Sequence, residues 1–451
     1  MKALKVKNSW LSDSDLRLDA SYHLSDGPIA KAKLKSSPYK VTTLINECDR
    51  IFSGNIFKRT YVESDRNGWP YLTGSDMVKA DINSGKYISK KYTTQAENLR
   101  IKKDWILISC SGTLGNCIYT NKDFDGRIGT HDLIRAIPNE KSVKKGFLYA
   151  YLASRYGYGL LTQSSYGGVV KHIEPHHIQD IPIPILPASK QEEINLLILE
   201  ASSLRDSANM LLRGAQEKVT DTIALRPNKK SLKINVSSIF SSHQKRFESQ
   251  YFISEGMEIK SHIYSLPHKL LKDVSKPIFR PGIFKRHYVK NGIDFLGGAD
   301  IVKAIPRSDK KLSIAQTKHL ESLKIKEDWI LVTCDGTIGY SVLVNNYMAG
   351  KAASQHILRV IADKIPTGYL FAFMSSSLGL KAIQSFTYGS VIPQIEPHHL
   401  ELLPIPILKE ELMREVNSMV MDYKSKVSES IQKELKAIEL VENEIESWQK
   451  S

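Results

Sequence analysis

The chain is poor in cysteine. Cys48, Cys110, Cys117 and Cys334 are its only four in 451 residues, and no two form a Cys-x-x-Cys pair. Neither a zinc site nor a disulfide framework is therefore expected. No apolar run approaches the length of a membrane span, and residues 1–11 lack the hydrophobic stretch of a secretory signal. A reduced, cytoplasmic protein is the simple expectation. Also missing are the Asn/Asp-Pro-Pro-Tyr/Phe segment of an adenine methyltransferase, a paired dinucleotide fingerprint, a Walker A loop and a nucleophile elbow. A dispersed Ser/His/Asp triad stays open, but nothing in the chain demands catalysis.

What the chain has in excess is positive charge, a net +15. Segments 189–226 and 409–451 together carry 12 basic and 16 acidic side chains, which leaves +19 on the remainder. A basic surface suits a polyanion, most commonly nucleic acid, through phosphate contacts and counterion release. A lysine-rich solubility surface is the other reading of the same charge.

The chain also repeats itself. Phe57–Lys58–Arg59 returns as Phe284–Lys285–Arg286, and Asp104–Trp105–Ile106–Leu107 as Asp328–Trp329–Ile330–Leu331. Gly112–Thr113–Leu114–Gly115 returns as Gly336–Thr337–Ile338–Gly339, and Ile173–Glu174–Pro175–His176–His177 as Ile395–Glu396–Pro397–His398–His399. The separations are 227, 224, 224 and 222 residues, so half the chain is duplicated in order, giving two similar domains rather than a short-period solenoid. Each reads as mixed α and β. Trp105 to Ser109 and Asn116 to Thr120 suit two short strands joined by the glycine turn, and the second copy repeats them. Each copy closes on a proline-punctuated run, Ile181 to Pro187 and Leu403 to Leu408. Without N–H donors at the prolines, these favour an edge strand or bridge.

A long periodic segment follows each run. Ile194, Leu197, Ala201, Leu204, Ala208, Leu211 and Ala215 form a heptad seam whose alanines admit a close partner helix. About 35 helical residues would span roughly 50 Å. The second seam is Leu412, Val416, Met419, Tyr423, Val427, Ile431, Leu435 and Ile438. Its four-residue steps around Tyr423 to Leu435 should make it drift there. Neither helix can hide such a stripe alone. The expected fold is thus α/β mixed (α+β): a first globular domain over 1–187, a first long helix over 188–226, a second domain over 227–408 and a second long helix over 409–451. The helices are expected to pair as an antiparallel coiled coil separating the domains.

Candidate contacts with a polyanion come in matched sets. Lys58, Arg59 and Tyr61 match Lys285, Arg286, His287 and Tyr288, interleaving basic and aromatic residues as nucleic-acid surfaces and ordinary surface strands both do. Ser111 and Thr113 match Asp335 and Thr337 on the glycine turn, which reads first as a hairpin and second as a ligand-facing loop. Tyr166, Gly167, Gly168, Lys171 and His172 match Tyr388, Gly389, Ser390 and Gln394; the Tyr, Lys, His and Gln among them suit phosphates or base edges, and a flexible turn is the other reading. Lys79 and Lys303 are a weaker pair. The paired histidines suggest a metal, yet adjacent histidines on a helix do not converge on one ion. Proline at a first helical position, with Glu174 as its cap, accounts for the motif better.

This arrangement resembles the specificity subunit of type I restriction–modification enzymes. The resemblance covers nearly the whole chain. It is carried by Tyr166–Gly167–Gly168 with Ile173, then Ile181 to Pro187 leading to Gln191, and in the second copy by Tyr388 to Ile395 and Leu403 to Leu408. Lys409–Glu410–Glu411–Leu412 departs from the family pattern at the second helix entry. The resemblance implies a non-catalytic subunit with two target-recognition domains, each reading half of a bipartite site on double-stranded DNA. It implies two modification subunits and restriction subunits as partners, with S-adenosylmethionine, ATP and Mg2+ held there and no cofactor in this chain. Because the copies differ at Lys171–His172 against Pro393–Gln394, at Ser111 against Asp335 and at Thr60 against His287, an asymmetric target is expected. The alternatives are a duplicated-domain nuclease, a protein scaffold, or a specificity subunit serving a methyltransferase–nuclease fusion.

Overall fold

The computed structural model describes residues 20–23, 25–83, 85–111, 114–163, 172–225, 236–241, 249–252, 254–389 and 393–448. The chain divides into two compact units: Met1–Asp206 with Glu429–Ser451, and Ser207–Ser428.

In the first unit, Ile106–Ser109 is a central strand because Ile106, Leu107 and Ile108 are apolar on both faces and all lie buried. It pairs antiparallel with Cys117–Tyr119 across the glycine turn and with Leu133–Pro138 on its other side; Cys48–Ser53 completes the sheet. A second four-stranded sheet combines Tyr61–Val62, Tyr87–Ser89, Gly68–Leu72 and Ile128–Gly129. Helices Lys145–Ala153 and Arg155–Gln163 pack on the first sheet through Phe147, Leu148, Tyr151 and Leu161. The proline run is an edge as expected: among the described strands Pro182–Pro184 pairs with Val41–Thr43 alone.

The second unit repeats this plan. Ile330–Thr333 lies between Ser341–Leu343 and Ile357–Val360, Tyr288–Leu296 between Lys311–Leu312 and Ala352–Ala353, and Pro404–Pro406 pairs with His268–Leu270. Helices Thr367–Ser375 and Ser377–Gln384 take the place of the first unit's pair.

The two long helices run over Ala188–Ile223 and Glu410–Ser447, slightly inside the expected 188–226 and 409–451. Within each unit their segments pair antiparallel. Lys190 pairs with Glu444, and Lys433 with Glu200 at 2.8 Å, in the first unit; Lys218 pairs with Glu415 at 3.0 Å in the second. Ile194, Ala201, Ala208 and Ala215 are buried as the heptad requires, but Leu197, Leu204 and Leu211 are only half-buried. Ile198, Val219 and Ile223 take the deeper positions instead. Each helix must meet a globular unit as well as its partner helix, so its apolar face is wider than a two-helix seam. On the second helix Val416, Ile431 and Ile438 are buried, whereas Leu412, Met419, Tyr423, Val427 and Leu435 are partly exposed. Where drift was expected, polar side chains join Ile431 in the buried positions: Ser428, Ser430 and Glu434. Glu434 accepts from the Tyr149 hydroxyl at 2.5 Å and pairs with Arg205, so its charge is compensated.

Candidate nucleic-acid interface

Phe57 turns inward and meets the buried Tyr71 ring at 6.3 Å, while Lys58, Arg59 and Tyr61 stay exposed. Arg59 does not hang free. Its Nη2 donates to Thr130 Oγ1 at 3.3 Å and lies 3.5 Å from Asp132 Oδ2. His131 Nε2 sits 3.5 Å from the other Asp132 oxygen. The amide of Cys110 donates to the Asp132 carbonyl at 3.3 Å, and the amide of Ile173 to the Cys110 carbonyl at 3.0 Å. Ser111 and His172 form a β-bridge beside these bonds. Three segments far apart in sequence thus meet: the Phe-Lys-Arg segment, the loop 130–132, and the turn carrying Ser111 with its bridge to His172.

The second unit builds the same place from different side chains. Phe284 meets Phe295 at 6.1 Å, leaving Lys285, Arg286 and Tyr288 exposed and His287 half-buried. Arg286 Nη2 donates to Gln355 Oε1 at 3.1 Å, and Gln355 Nε2 lies 3.0 Å from His356 Nε2. His356 Nδ1 pairs with Asp335 on the turn. Asp335 and Tyr388 both bridge Gln394, and the Ile395 amide reaches the Cys334 carbonyl at 3.0 Å. Tyr388 also donates to Glu396, whose carboxylate holds Arg280 at 2.6 Å. The acid lies on the loop in one unit (Asp132) and on the turn in the other (Asp335).

One buried residue per unit shapes the loop. Arg135 is fully buried and its guanidinium donates to the carbonyls of Leu133, Leu99 and Gly129 at 2.8, 3.0 and 3.2 Å. Arg359 does the same for Ser354, Ile357 and Ala353 at 2.9, 2.5 and 2.8 Å. Burial pushes both guanidinium groups down to about 10, so they remain charged at neutral pH. Neither arginine, nor the loop residues Thr130 to Asp132 and Ser354 to His356, was singled out from the sequence. A signal was there, since Leu133–Ile134–Arg135 and Ile357–Leu358–Arg359 keep the same 224-residue offset as the glycine turn.

Other expected contacts are placed as follows. Thr337 is exposed on its turn, beside Gly336 at φ 68° and close to Gly339 at φ 89°, a left-handed backbone that glycine adopts without strain. Gly389 is exposed next to Tyr388. Lys79 and Lys303 each form an ion pair at 2.7 Å with the aspartate three residues earlier, Asp76 and Asp300. Thr113, Tyr166, Gly167, Gly168, Lys171 and Ser390 lie outside the described residues.

The histidine pairs lie at helix starts. Pro175–Ile178 and Pro397–Leu400 are single turns with proline at the first position and Glu174 or Glu396 as a capping box. The Glu174 amide donates to His177 Nδ1 at 3.0 Å, and Glu396 repeats this with His399 at 3.2 Å. The thiols of Cys110 and Cys334, next to the turn, are buried, and burial pushes them up to about 12. Among the described residues no helix is long and apolar enough to cross a membrane.

The family model of the type I restriction modification DNA specificity domain matches residues 45–200 and again 264–440. No curated protein matches the chain. Among solved structures, it is similar to the S subunit of a type I restriction–modification system from M. genitalium, with 13% identity over 91% of this chain and 96% of that one, and a TM-score of 0.34. It is also similar to the HsdS subunit from Thermoanaerobacter tengcongensis, with 13% identity over 91% and 97% of the two chains and a TM-score of 0.28.

Proposed function

Because this chain belongs to the type I restriction modification DNA specificity domain family, we propose that each unit reads one half of a bipartite DNA site through the cluster around Arg59 or Arg286. On this reading the chain contributes recognition and no catalysis. Modification subunits, docked along the long helices, methylate adenine N6 on a base they take out of the stack, and restriction subunits join that core.

The observation that carries the proposal is the paired cluster itself. Each unit presents an exposed lysine for phosphate, a tethered arginine, and polar side chains on a loop and a turn that are held in place by backbone bonds. Fixed donors and acceptors are what base-edge readout requires, while phosphate contacts alone carry no sequence information. The clusters differ in chemistry. Arg59 faces a carboxylate 3.5 Å away, whereas Arg286 is held by an amide oxygen. Two unlike clusters read two unlike half-sites, so the target is asymmetric. Linking two weak readers in one chain raises avidity when both half-sites are engaged at once.

The test is the methylated motif produced when the chain is expressed with its modification subunit. A bipartite, non-palindromic motif is expected. A palindromic motif would defeat the asymmetry, and unchanged methylation on exchanging this chain for another specificity subunit would defeat the recognition role.

A further inference from the structure

Ile283 and Ile56 are the two most exposed large hydrophobic residues among those described, at 93% and 83%. Single exposed aliphatics are common and need no explanation. These two are not independent: they occupy the same place in the two copies, each immediately before Phe-Lys-Arg and 227 residues apart. Their upstream neighbours changed between the copies, Gly54–Asn55 in one and Pro281–Gly282 in the other, yet the isoleucine is present in both.

The local structure explains why each side chain is presented outward. Phe57 and Phe284 anchor the segment on Tyr71 and Phe295, and the residues flanking each anchor, Ile56 with Lys58 and Ile283 with Lys285, are exposed. The next residue, Arg59 or Arg286, is tied to the loop at Thr130 or Gln355. The isoleucine is therefore carried on a pinned backbone. Its β-branch leaves few χ1 rotamers, so packing it against a partner costs little side-chain entropy. Tyr61 and Tyr288, at the same 227-residue offset, are exposed on the far side of the basic pair. An aliphatic tip within a basic surface suits a polyanion that also offers apolar faces, as a duplex does where its phosphates flank stacked bases.

We propose that Ile56 and Ile283 are base-contacting tips, packing on apolar base surface next to the phosphate contacts of Lys58 and Lys285. This rests on the DNA-reading role above and assigns it a contact beyond hydrogen bonding. Lysine and arginine supply sequence-independent attraction; the isoleucine gains only where an apolar base surface is within reach, so it acts on specificity.

The experiment uses the full chain and 50-base-pair duplexes with a randomised centre, selected for binding to the wild type. Affinity for the selected and unselected pools is compared for wild type, Ile56→Ser, Ile283→Ser and the double variant, with thermal melting as a check that folding is intact. Each single variant should lose about tenfold on the selected pool, the cost of one aliphatic contact, and the losses should multiply in the double variant. Binding to the unselected pool and the salt dependence should not move, because no charge has changed. Unchanged affinity of the double variant for the selected pool overturns the inference and leaves the DNA reading standing. A wild type that binds no duplex even at low salt removes that reading, and the inference with it. Two further probes separate the sources of apolar surface. If deoxyuridine in place of thymidine abolishes the advantage of isoleucine over serine, the thymine methyl is the contact. If 2-aminopurine brightens only with isoleucine present, the side chain enters between base pairs.

Discussion

The backbone amide of Gly146 donates to Asn195 Oδ1 at 3.0 Å, and a Cβ on Gly146 would stand 2.9 Å from the Asn195 Cα. Gly368 and Asn417 repeat the contact at 2.9 Å in the second unit. In each unit this pins the start of a short helix to the adjoining long helix, at a place where the amide has no partner within its own helix. Gly146→Ala should therefore cost about 1–3 kcal/mol by overpacking alone, more if the amide bond is lost. Thermal melting of Gly146→Ala and Gly368→Ala should each show a lowered transition. A change within 1 °C in both would mean the helices slide without penalty.

Arg135 replaced by methionine should destabilise the first unit and weaken DNA binding together. The substitution keeps the apolar stem but removes the guanidinium from several buried carbonyls, and each unsatisfied buried polar group costs about 1–3 kcal/mol. Arg135→Lys should rescue only in part, since one ammonium replaces the Nη2 contacts to Leu99 and Gly129 but lacks the second nitrogen that reaches Leu133. Amide exchange across residues 129–133 is the direct readout. Protection there equal to wild type in the methionine variant would show that the loop holds its shape without the arginine.

Lys58→Ala should weaken binding to all duplexes alike and lower the slope of log K against log salt by about one. Arg59→Ala should do less to the slope, because Asp132 already offsets part of its charge, and more to discrimination between sequences. Titrations at four salt concentrations separate the two. Equal slopes for wild type and Lys58→Ala would take that lysine out of the phosphate footprint.

Acid should loosen the first histidine turn. Burial, with the neighbouring His176 adding to it, holds His177 below the ordinary imidazole value, and its Nδ1 already accepts the Glu174 amide. A depressed folded pKa means that its stabilisation is present above the unfolded value of about 6.5 and is lost as pH falls through the lower folded value. The fall in melting temperature between pH 7.5 and 5.5 should be larger for wild type than for His177→Gln. Identical falls would show that the imidazole contributes nothing there.

The sequence determined what short-range chemistry can determine. The glycine turn of the second copy, the glutamate-capped proline start, the proline edge and the long helices are each specified within a few residues, and these took shape as expected. The duplication itself was legible because sequence order survives insertions of a few residues. The clusters were legible only in part. Arg59 and Thr130 lie 71 residues apart, and no local pattern announces a hydrogen bond between two loops. The charge on Arg135 reads as surface in a strand of otherwise apolar residues, until the fold folds carbonyls around it. Helical periodicity marked Leu197, but Ile198 is the buried residue, because the helix serves a globular core as well as its partner helix. Tertiary structure alone decided which side chains meet and which, like Ile56 and Ile283, are left facing water, since burial depends on what the rest of the chain brings alongside.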